Sequence, residues 1–127
     1  MRMKTEIKIR ICNDSPDGER YYFMGPGMHA LLSEIQKSGS VALACSNLDL
    51  SYSKGWKMIK NAEKGFGKSL VVRHQGGTGG GSATITDDAV SLLKAYENAH
   101  EEIVSVAERI VNKNFKDVIS DITKNLK

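Results

Sequence analysis

The middle of the chain contains two helix patterns separated by a very short turn. Ser40 is a good N-cap for a helix over residues 41–46, and Ser51 is a good N-cap for a helix that runs to about residue 64. Residues 47–50 between them predict a tight turn. Two short helices joined by such a turn form a helix-turn-helix, so this segment constrains the fold more than any other part of the chain.

Side chains in this segment suit two closely packed helices. Ala44 and Cys45 are small enough for the helices to cross at short range. Asp49 can adopt the left-handed turn conformation that glycine otherwise supplies. Almost every side chain of residues 41–46 is small or apolar, so we expect the first helix of the pair to be buried.

A glycine-rich tract follows these helices and lies between two strand patterns. Residues 70–73 and 83–85 are rich in strand-forming side chains, and residues 76–81 read Gly-Gly-Thr-Gly-Gly-Gly. A β-hairpin in this position is a wing, and glycines at its tip permit close approach to a DNA backbone. The tract does not match a nucleotide-binding loop, because no Lys-Ser or Lys-Thr pair follows it.

The N-terminal region predicts a hairpin and a further helix. Apolar residues alternate over residues 7–11, aromatic residues are concentrated in residues 21–24, and Ser-Pro-Asp-Gly at residues 15–18 predicts the turn between two strands. An apolar stripe over residues 28–35 then predicts an amphipathic helix that ends at Gly39.

The residues after the wing predict a helix with a heptad seam. Thr86 is its N-cap, and apolar residues recur at intervals of four and three. Because this seam follows a wing, we expect it to pair two protomers and to place their recognition helices about one DNA turn, roughly 34 Å, apart. The repeat breaks at residues 112–114, so the chain from Phe115 onward is expected to form a separate short helix. The predicted dimerisation residues are Leu92, Tyr96, Ala99, Ile103, Val106 and Ile110.

The expected fold is α+β and mostly helical, a winged helix-turn-helix with an N-terminal β-hairpin and C-terminal dimerisation helices. A chain of 127 residues is long enough for one such domain with an appended helical element. We assign residues 1–86 to DNA binding and residues 87–127 to dimerisation. No apolar run approaches the roughly 18 to 20 residues that span a bilayer, so we expect a cytoplasmic protein without a membrane partner.

Charge is distributed unevenly along the chain. Residues 51–75 contain six cationic side chains and one anionic side chain, whereas residues 76–112 contain two cationic and six anionic side chains. This division indicates one face that meets a polyanion and another that is turned away from it.

The sequence gives little support to catalysis or metal binding. Cys12 and Cys45 lie far apart in apolar stretches and are expected to be buried, reduced thiols, and the three histidines lack metal-ligand spacing. Paired carboxylates in an apolar context are absent, as is a nucleophile with a base at a recognisable spacing. We therefore expect neither an enzyme nor a cofactor or metal site.

Several short motifs follow one another in a specific order over roughly residues 5 to 105. They are Gly39-Ser40, Leu48 through Ser51-Tyr52, Lys54 to Trp56, Leu70-Val71 with Arg73, Gly76-Gly77 and Gly79-Gly80-Gly81 with Thr86, and Leu92-Leu93 with Tyr96. This series resembles the N-terminal DNA-binding domain of the ModE family of molybdate-responsive regulators, which is itself similar to the LysR-type winged helix. The resemblance implies a prokaryotic transcriptional regulator.

The chain departs from the pattern of that family at a few positions. Asp49 stands in place of the usual turn glycine, Gly55 in place of a usual alanine, and Ala89 where glycine is common after the wing. Proteins of that family also carry C-terminal oxyanion-binding domains, whereas this chain ends about one helix after its DNA-binding part. We therefore do not expect molybdate binding by this chain.

The predicted DNA contacts lie on the third helix and the wing. Lys54 is expected to read base edges in the major groove, Lys60 to touch phosphate, and Arg73 to lie along the flanking backbone or minor groove. Trp56, one turn after Tyr52, is interpreted as core packing. The predicted contacts are Ser40, Ser51, Tyr52, Ser53, Lys54, Lys57, Lys60, Arg73, His74, Gly76, Gly77, Thr78 and Gly79.

These observations favour a sequence-specific transcriptional regulator that binds double-stranded DNA as a homodimer. The alternative is a protein-interaction module that keeps the winged-helix scaffold and binds a partner through residues 113–127 or the heptad surface.

Overall fold

The computed structural model describes residues 3–75 and 81–125, with side chains as far as residue 121. These residues form two antiparallel hairpins and four helices, which confirms the expected mostly helical α+β fold with a winged helix-turn-helix. The elements in chain order are β1 (Ile11–Asp14), β2 (Arg20–Met24), α1 (Pro26–Ser38), α2 (Val41–Asn47), α3 (Tyr52–Phe66), β3 (Val71–His74), β4 (Ser82–Ile85) and α4 (Asp87–Asn125).

The chain divides into two compact units. One is Lys8–Tyr96, which contains both hairpins and α1 to α3, and the other combines Met1–Ile7 with Glu97–Lys127. None of the helices in the described ranges is long and apolar enough to cross a bilayer. The predicted functional boundary between residues 86 and 87 stays a prediction.

The Lys8–Tyr96 unit has one continuous apolar core. Leu31, Leu32 and Ile35 on α1 meet Ile59 on α3, and all of these side chains are fully buried. Spacings of three and four residues on α1 place its apolar side chains on one face, as the sequence predicted. The helix ends at Gly39, whose φ of 70° lies in the left-handed region that glycine adopts without strain.

The helix-turn-helix has the caps and turn that the sequence predicted. The Ser40 hydroxyl accepts a hydrogen bond from the Leu43 amide at the start of α2, and the Ser51 hydroxyl accepts one from the Lys54 amide at the start of α3. Asp49 has a φ of 56°, so it does occupy the left-handed turn position.

The expectation that α2 is buried is wrong for one of its two faces. Val41, Ala44 and Cys45 face the core, but Ala42 and Leu43 lie on the opposite, exposed face, and Leu43 is 55% exposed. A short helix at the surface presents only one face to its neighbours, so its apolar composition does not determine its burial.

The first strand lies further along the chain than its alternating pattern predicted. Pairing extends from Asp14 opposite Arg20, beside the turn, to Ile11 opposite Met24. It stops there because β2 is followed, after Gly25, by Pro26, the first residue of α1. Residues 7–9 are therefore not part of a strand, and the Ile9 carbonyl accepts a hydrogen bond from the Tyr96 hydroxyl at 2.8 Å instead.

The β1–β2 hairpin packs against the C-terminal end of α3. A Cβ atom at Gly65 would lie only 2.7 Å from the Tyr21 carbonyl oxygen, so the two backbones approach more closely than any side chain permits. The Asn13 amide donates a hydrogen bond to the Gly65 carbonyl at 3.2 Å, and the Phe23 and Phe66 rings lie 5.8 Å apart. The hairpin thus holds this end of α3 in place.

The expected break in the last helix at residues 112–114 is wrong, because α4 runs from Asp87 to Asn125 without interruption. These residues include neither glycine nor proline, and the Asn114 side chain donates to the Ile110 carbonyl one turn earlier at 2.8 Å. What changes there is the apolar stripe. The step from Ile110 to Phe115 is five residues, which moves the stripe roughly 140° around the helix.

Candidate nucleic-acid interface

The outer face of α3 carries a groove lined by polar and basic side chains. Ser53, Lys54 and Lys57 are exposed, and with Met58 and Asn61 they line a shallow groove of about 590 Å³. Spacings of three and four residues bring these side chains to one face. This face offers hydrogen-bond donors and positive charge to a polyanion.

A second face of α3 meets the wing at Arg73. The Arg73 guanidinium donates a hydrogen bond to the Tyr52 hydroxyl at 3.0 Å. The same guanidinium carbon lies 4.1 Å from the centroid of the Trp56 ring, a cation–π distance. Tyr52 and Trp56 also touch each other edge to face, with ring centroids 6.4 Å apart. These three side chains form a cluster that we call the arginine cluster.

Lys60 adjoins the arginine cluster and pairs with Glu63. Its ammonium lies 5.6 Å from the centroid of the Trp56 ring and 3.6 Å from a carboxylate oxygen of Glu63. The other carboxylate oxygen of Glu63 accepts hydrogen bonds from the backbone amides of Leu70 and Val71, at 2.8 and 3.3 Å. Glu63 therefore attaches the base of the wing to α3.

Ser40 and His74 line a groove between the start of α2, the start of α3 and the wing strands. This groove has a volume of about 660 Å³, and Tyr52, Trp56 and Arg73 also line it. His74 is exposed, and its Nε2 lies 2.8 Å from the Thr84 hydroxyl on the neighbouring strand. The structure thus brings four predicted DNA contacts, Ser40, Tyr52, Arg73 and His74, around one groove.

The remaining predicted DNA contacts fall into two groups. The Ser51 hydroxyl caps α3, and its residue is exposed. Gly76, Gly77, Thr78 and Gly79 lie outside the described residues.

The predicted dimerisation residues differ in exposure. In the Lys8–Tyr96 unit, Tyr96 is 7% exposed and belongs to the core, and Leu92 packs against that core. In the other unit, Ile103, Val106 and Ile110 are 43%, 44% and 55% exposed. Among the predicted seam residues, these last three have side chains that a partner could contact. Their role in dimerisation stays a prediction.

Sequence reasoning missed the parts that Trp56, Glu63 and Thr84 play in this site. The sequence predicts core packing for Trp56, and its ring does pack against the core, but it is only half-buried and one side of the ring faces Arg73. Its indole nitrogen is buried and has no hydrogen-bond partner among the described residues. The anionic Glu63 in a basic helix was the available signal for a structural role, because an isolated acidic residue in such a helix often has a specific partner.

The known proteins similar to this chain include several that are named as transcriptional regulators. It is 35% identical over 75 residues to the transcriptional regulator ModE of Haemophilus influenzae, a match that covers 59% of this chain and 29% of that protein. It is 31% identical over 99 residues to the DNA-binding transcriptional dual regulator ModE of Escherichia coli K12, covering 78% of this chain and 34% of the relative. The molybdenum-pterin-binding protein MopB of Rhodobacter capsulatus is 27% identical over 103 residues, which are 79% of this chain and 38% of that protein.

The chain spans about a third of the length of these relatives. No protein-family model matches it. The matches confirm the resemblance to ModE-family regulators.

Proposed function

We propose that this chain, as a relative of the ModE-family transcriptional regulators, is a cytoplasmic regulator that binds double-stranded DNA in a sequence-specific manner. The observation that carries the proposal is the junction of Arg73 on the wing with Tyr52 and Trp56 on α3. A wing fixed beside a recognition helix gives one continuous surface for the major groove and the flanking backbone.

The two faces of α3 suit different parts of a DNA duplex. Lys54 and Lys57, near the N-terminal end of the helix, are placed for base edges in the major groove. Arg73 and Lys60 lie on the wing-facing side, where cations would neutralise phosphates. This division assigns sequence preference to the outer face and general affinity to the wing-facing side.

We also propose that two copies of the chain act together as a homodimer. Ile103, Val106 and Ile110 follow a heptad spacing on a helical surface, and each of them is more than two-fifths exposed. An identical helix is a suitable partner for such a stripe, because a-and-d spacing on both partners lets the side chains interdigitate. Burial of these apolar side chains would stabilise the pair.

A binding assay with selected DNA tests the proposal. Genomic fragments are captured with the purified protein, and the enriched duplex is then compared with a scrambled duplex of equal length and composition by fluorescence anisotropy at fixed salt. We expect at least tenfold tighter binding to the enriched duplex, because specific sites exceed non-specific DNA by large factors. Equal affinity for both duplexes, or no binding, would contradict sequence-specific recognition and favour the protein-interaction alternative.

A further inference from the structure

The DNA-binding proposal rests on the arginine cluster but does not assign separate roles to its three side chains. Arg73 is on the wing, whereas its two partners, Tyr52 and Trp56, are one turn apart on α3. An arginine side chain on an exposed strand has many rotamers, and fixing it on binding costs free energy. Here a hydrogen bond and a flat aromatic ring already hold the guanidinium in one place.

We propose that Tyr52 and Trp56 are positioning residues for Arg73, and that Arg73 is the group of this cluster that contacts a DNA phosphate. This inference rests on the proposed function. Arg73 donates one hydrogen bond to Tyr52, and a guanidinium has five N–H donors, so donors remain for a phosphate. Tyr52 then acts on affinity through Arg73 and not through a base contact of its own.

Geometry favours this assignment over a direct DNA contact by Tyr52. The Tyr52 hydroxyl oxygen accepts a hydrogen bond from Arg73, and the Tyr52 and Trp56 rings pack edge to face, so both groups of this side chain already have partners within the cluster. Trp56 is the only tryptophan of the chain, and its ring centroid lies 4.1 Å from the Arg73 guanidinium carbon. Lys60 reaches the same ring, but its ammonium pairs with the Glu63 carboxylate. Of these two cations, Arg73 is the one without an anionic partner among the described residues.

A double-mutant cycle tests the inference. Tyr52→Phe keeps the ring and removes the hydroxyl that accepts from Arg73, so we expect binding to the enriched duplex to weaken about fivefold. In an Arg73→Ala background the same change should have no further effect. Tyr22→Phe is the matched control, because Tyr22 also carries an arginine over its ring, Arg10 at 3.8 Å, on the β1–β2 hairpin. That control should bind like the unmodified protein.

Salt dependence and a conservative variant add two further measurements. Arg73→Ala should lower the slope of log affinity against log salt by about one phosphate contact. Arg73→Lys keeps the positive charge but lacks the planar guanidinium. Compared with Arg73→Ala, it should therefore recover the salt slope but not the full affinity. If Arg73→Lys binds as tightly as the unmodified protein, charge alone is sufficient and the positioning role is wrong.

Trp56 fluorescence tests the placement of Arg73 without DNA. Arg73→Ala and Tyr52→Phe should each shift the emission to longer wavelength, because the ring loses its cover, whereas Tyr22→Phe should leave it unchanged. An equal loss of affinity from Tyr52→Phe with and without Arg73 would overturn the inference, as would no loss in either background. If the unmodified protein bound no duplex, both the proposed function and the phosphate contact of Arg73 would be wrong. The emission shift would then still test whether Arg73 lies over the Trp56 ring.

Discussion

Cys45 on α2 fills the space that a side chain at position 55 of α3 would need. A Cβ atom built at Gly55 would lie far closer to the Cys45 sulfur than van der Waals contact allows. Both residues are buried where the two helices of the helix-turn-helix cross. The Cys45 side chain therefore leaves room for glycine at position 55.

We expect Gly55→Ala to destabilise the protein. Overpacking costs about 1 to 3 kcal/mol, and this exceeds the gain of about 1 kcal/mol that alanine brings to a helix interior. In a Cys45→Ala background the clash is absent, so the same change should become stabilising. Urea unfolding of the four proteins measures the coupling, and additive effects would show that the two sites do not contact each other.

Glu63→Ala should destabilise the base of the wing by about 1 to 3 kcal/mol, because it leaves the buried amides of Leu70 and Val71 without their acceptor. Glu63→Gln keeps a carbonyl acceptor and should lose less. Lys60→Met is the control, since it removes the ion pair of an exposed lysine with Glu63 and its contact with the Trp56 ring, and it should change stability by less than about 1 kcal/mol. Equal unfolding free energies for all three variants would argue against the attachment.

Lys54→Ala and Lys60→Ala should have different effects on DNA recognition. Loss of Lys54 is expected to cost about 1 to 3 kcal/mol at one base position and to relax preference there. Loss of Lys60 should weaken all sequences nearly alike and reduce the salt slope by about one. Selection from a randomised duplex library measures the base preference of both variants. A changed preferred site for Lys60→Ala would contradict the assignment of this lysine to phosphate.

Ile103→Asp should dissociate the proposed dimer, because it places a charge in an apolar interface. Ser105→Asp adds the same charge at an exposed position on another side of α4 and serves as the control. Sedimentation velocity gives the assembly state, and circular dichroism establishes that each variant is folded. A folded Ile103→Asp protein that still sediments as a dimer would remove the seam from the interface.

The two thiols should differ in reactivity. Cys45 is 1% exposed, and burial raises the pKa of its thiol, whereas Cys12 lies partly exposed on β1. Because the folded pKa of Cys45 is raised, its contribution to stability is complete below the ordinary thiol pKa of about 8.5 and declines as the pH rises above it. At pH 8, a thiol-specific disulfide reagent should label Cys12 rapidly and Cys45 only after denaturant is added. Rapid labelling of a Cys12→Ser protein would contradict this.

Local signals in the sequence were sufficient for most of the fold. Ser40 and Ser51 mark helix starts because a hydroxyl that accepts an amide hydrogen bond is a short-range feature, and Asp49 marks the turn for a similar reason. The alternating pattern wrongly predicted a strand at residues 7–9, because alternation indicates which side chains are half-buried and not whether a partner strand is available. Residues 112–114 misled because a shift in the apolar stripe resembles a break in the helix.

The arginine cluster depends on contacts between distant residues and was not predictable. Arg73 and Tyr52 are separated by 21 positions, and their spacing has no period that a helix or strand would produce. Glu63 and Leu70 are close in sequence, but only the fold shows that the carboxylate turns back to the wing amides. Both contacts form where the wing meets α3, so the residue pattern within one helix or one strand does not reveal them.

The packing of Gly65 beneath the β1–β2 hairpin bears on the order in which the recognition surface is completed during synthesis. Residues 13–21 leave the ribosome before α3 does, so the segment that supports the C-terminal end of that helix is already synthesised when the helix emerges. The wing strands that hold Glu63 and cover Trp56 follow later. The contacts of α3 therefore come from chain made at two stages of translation, and they are complete only after Arg73 has been added.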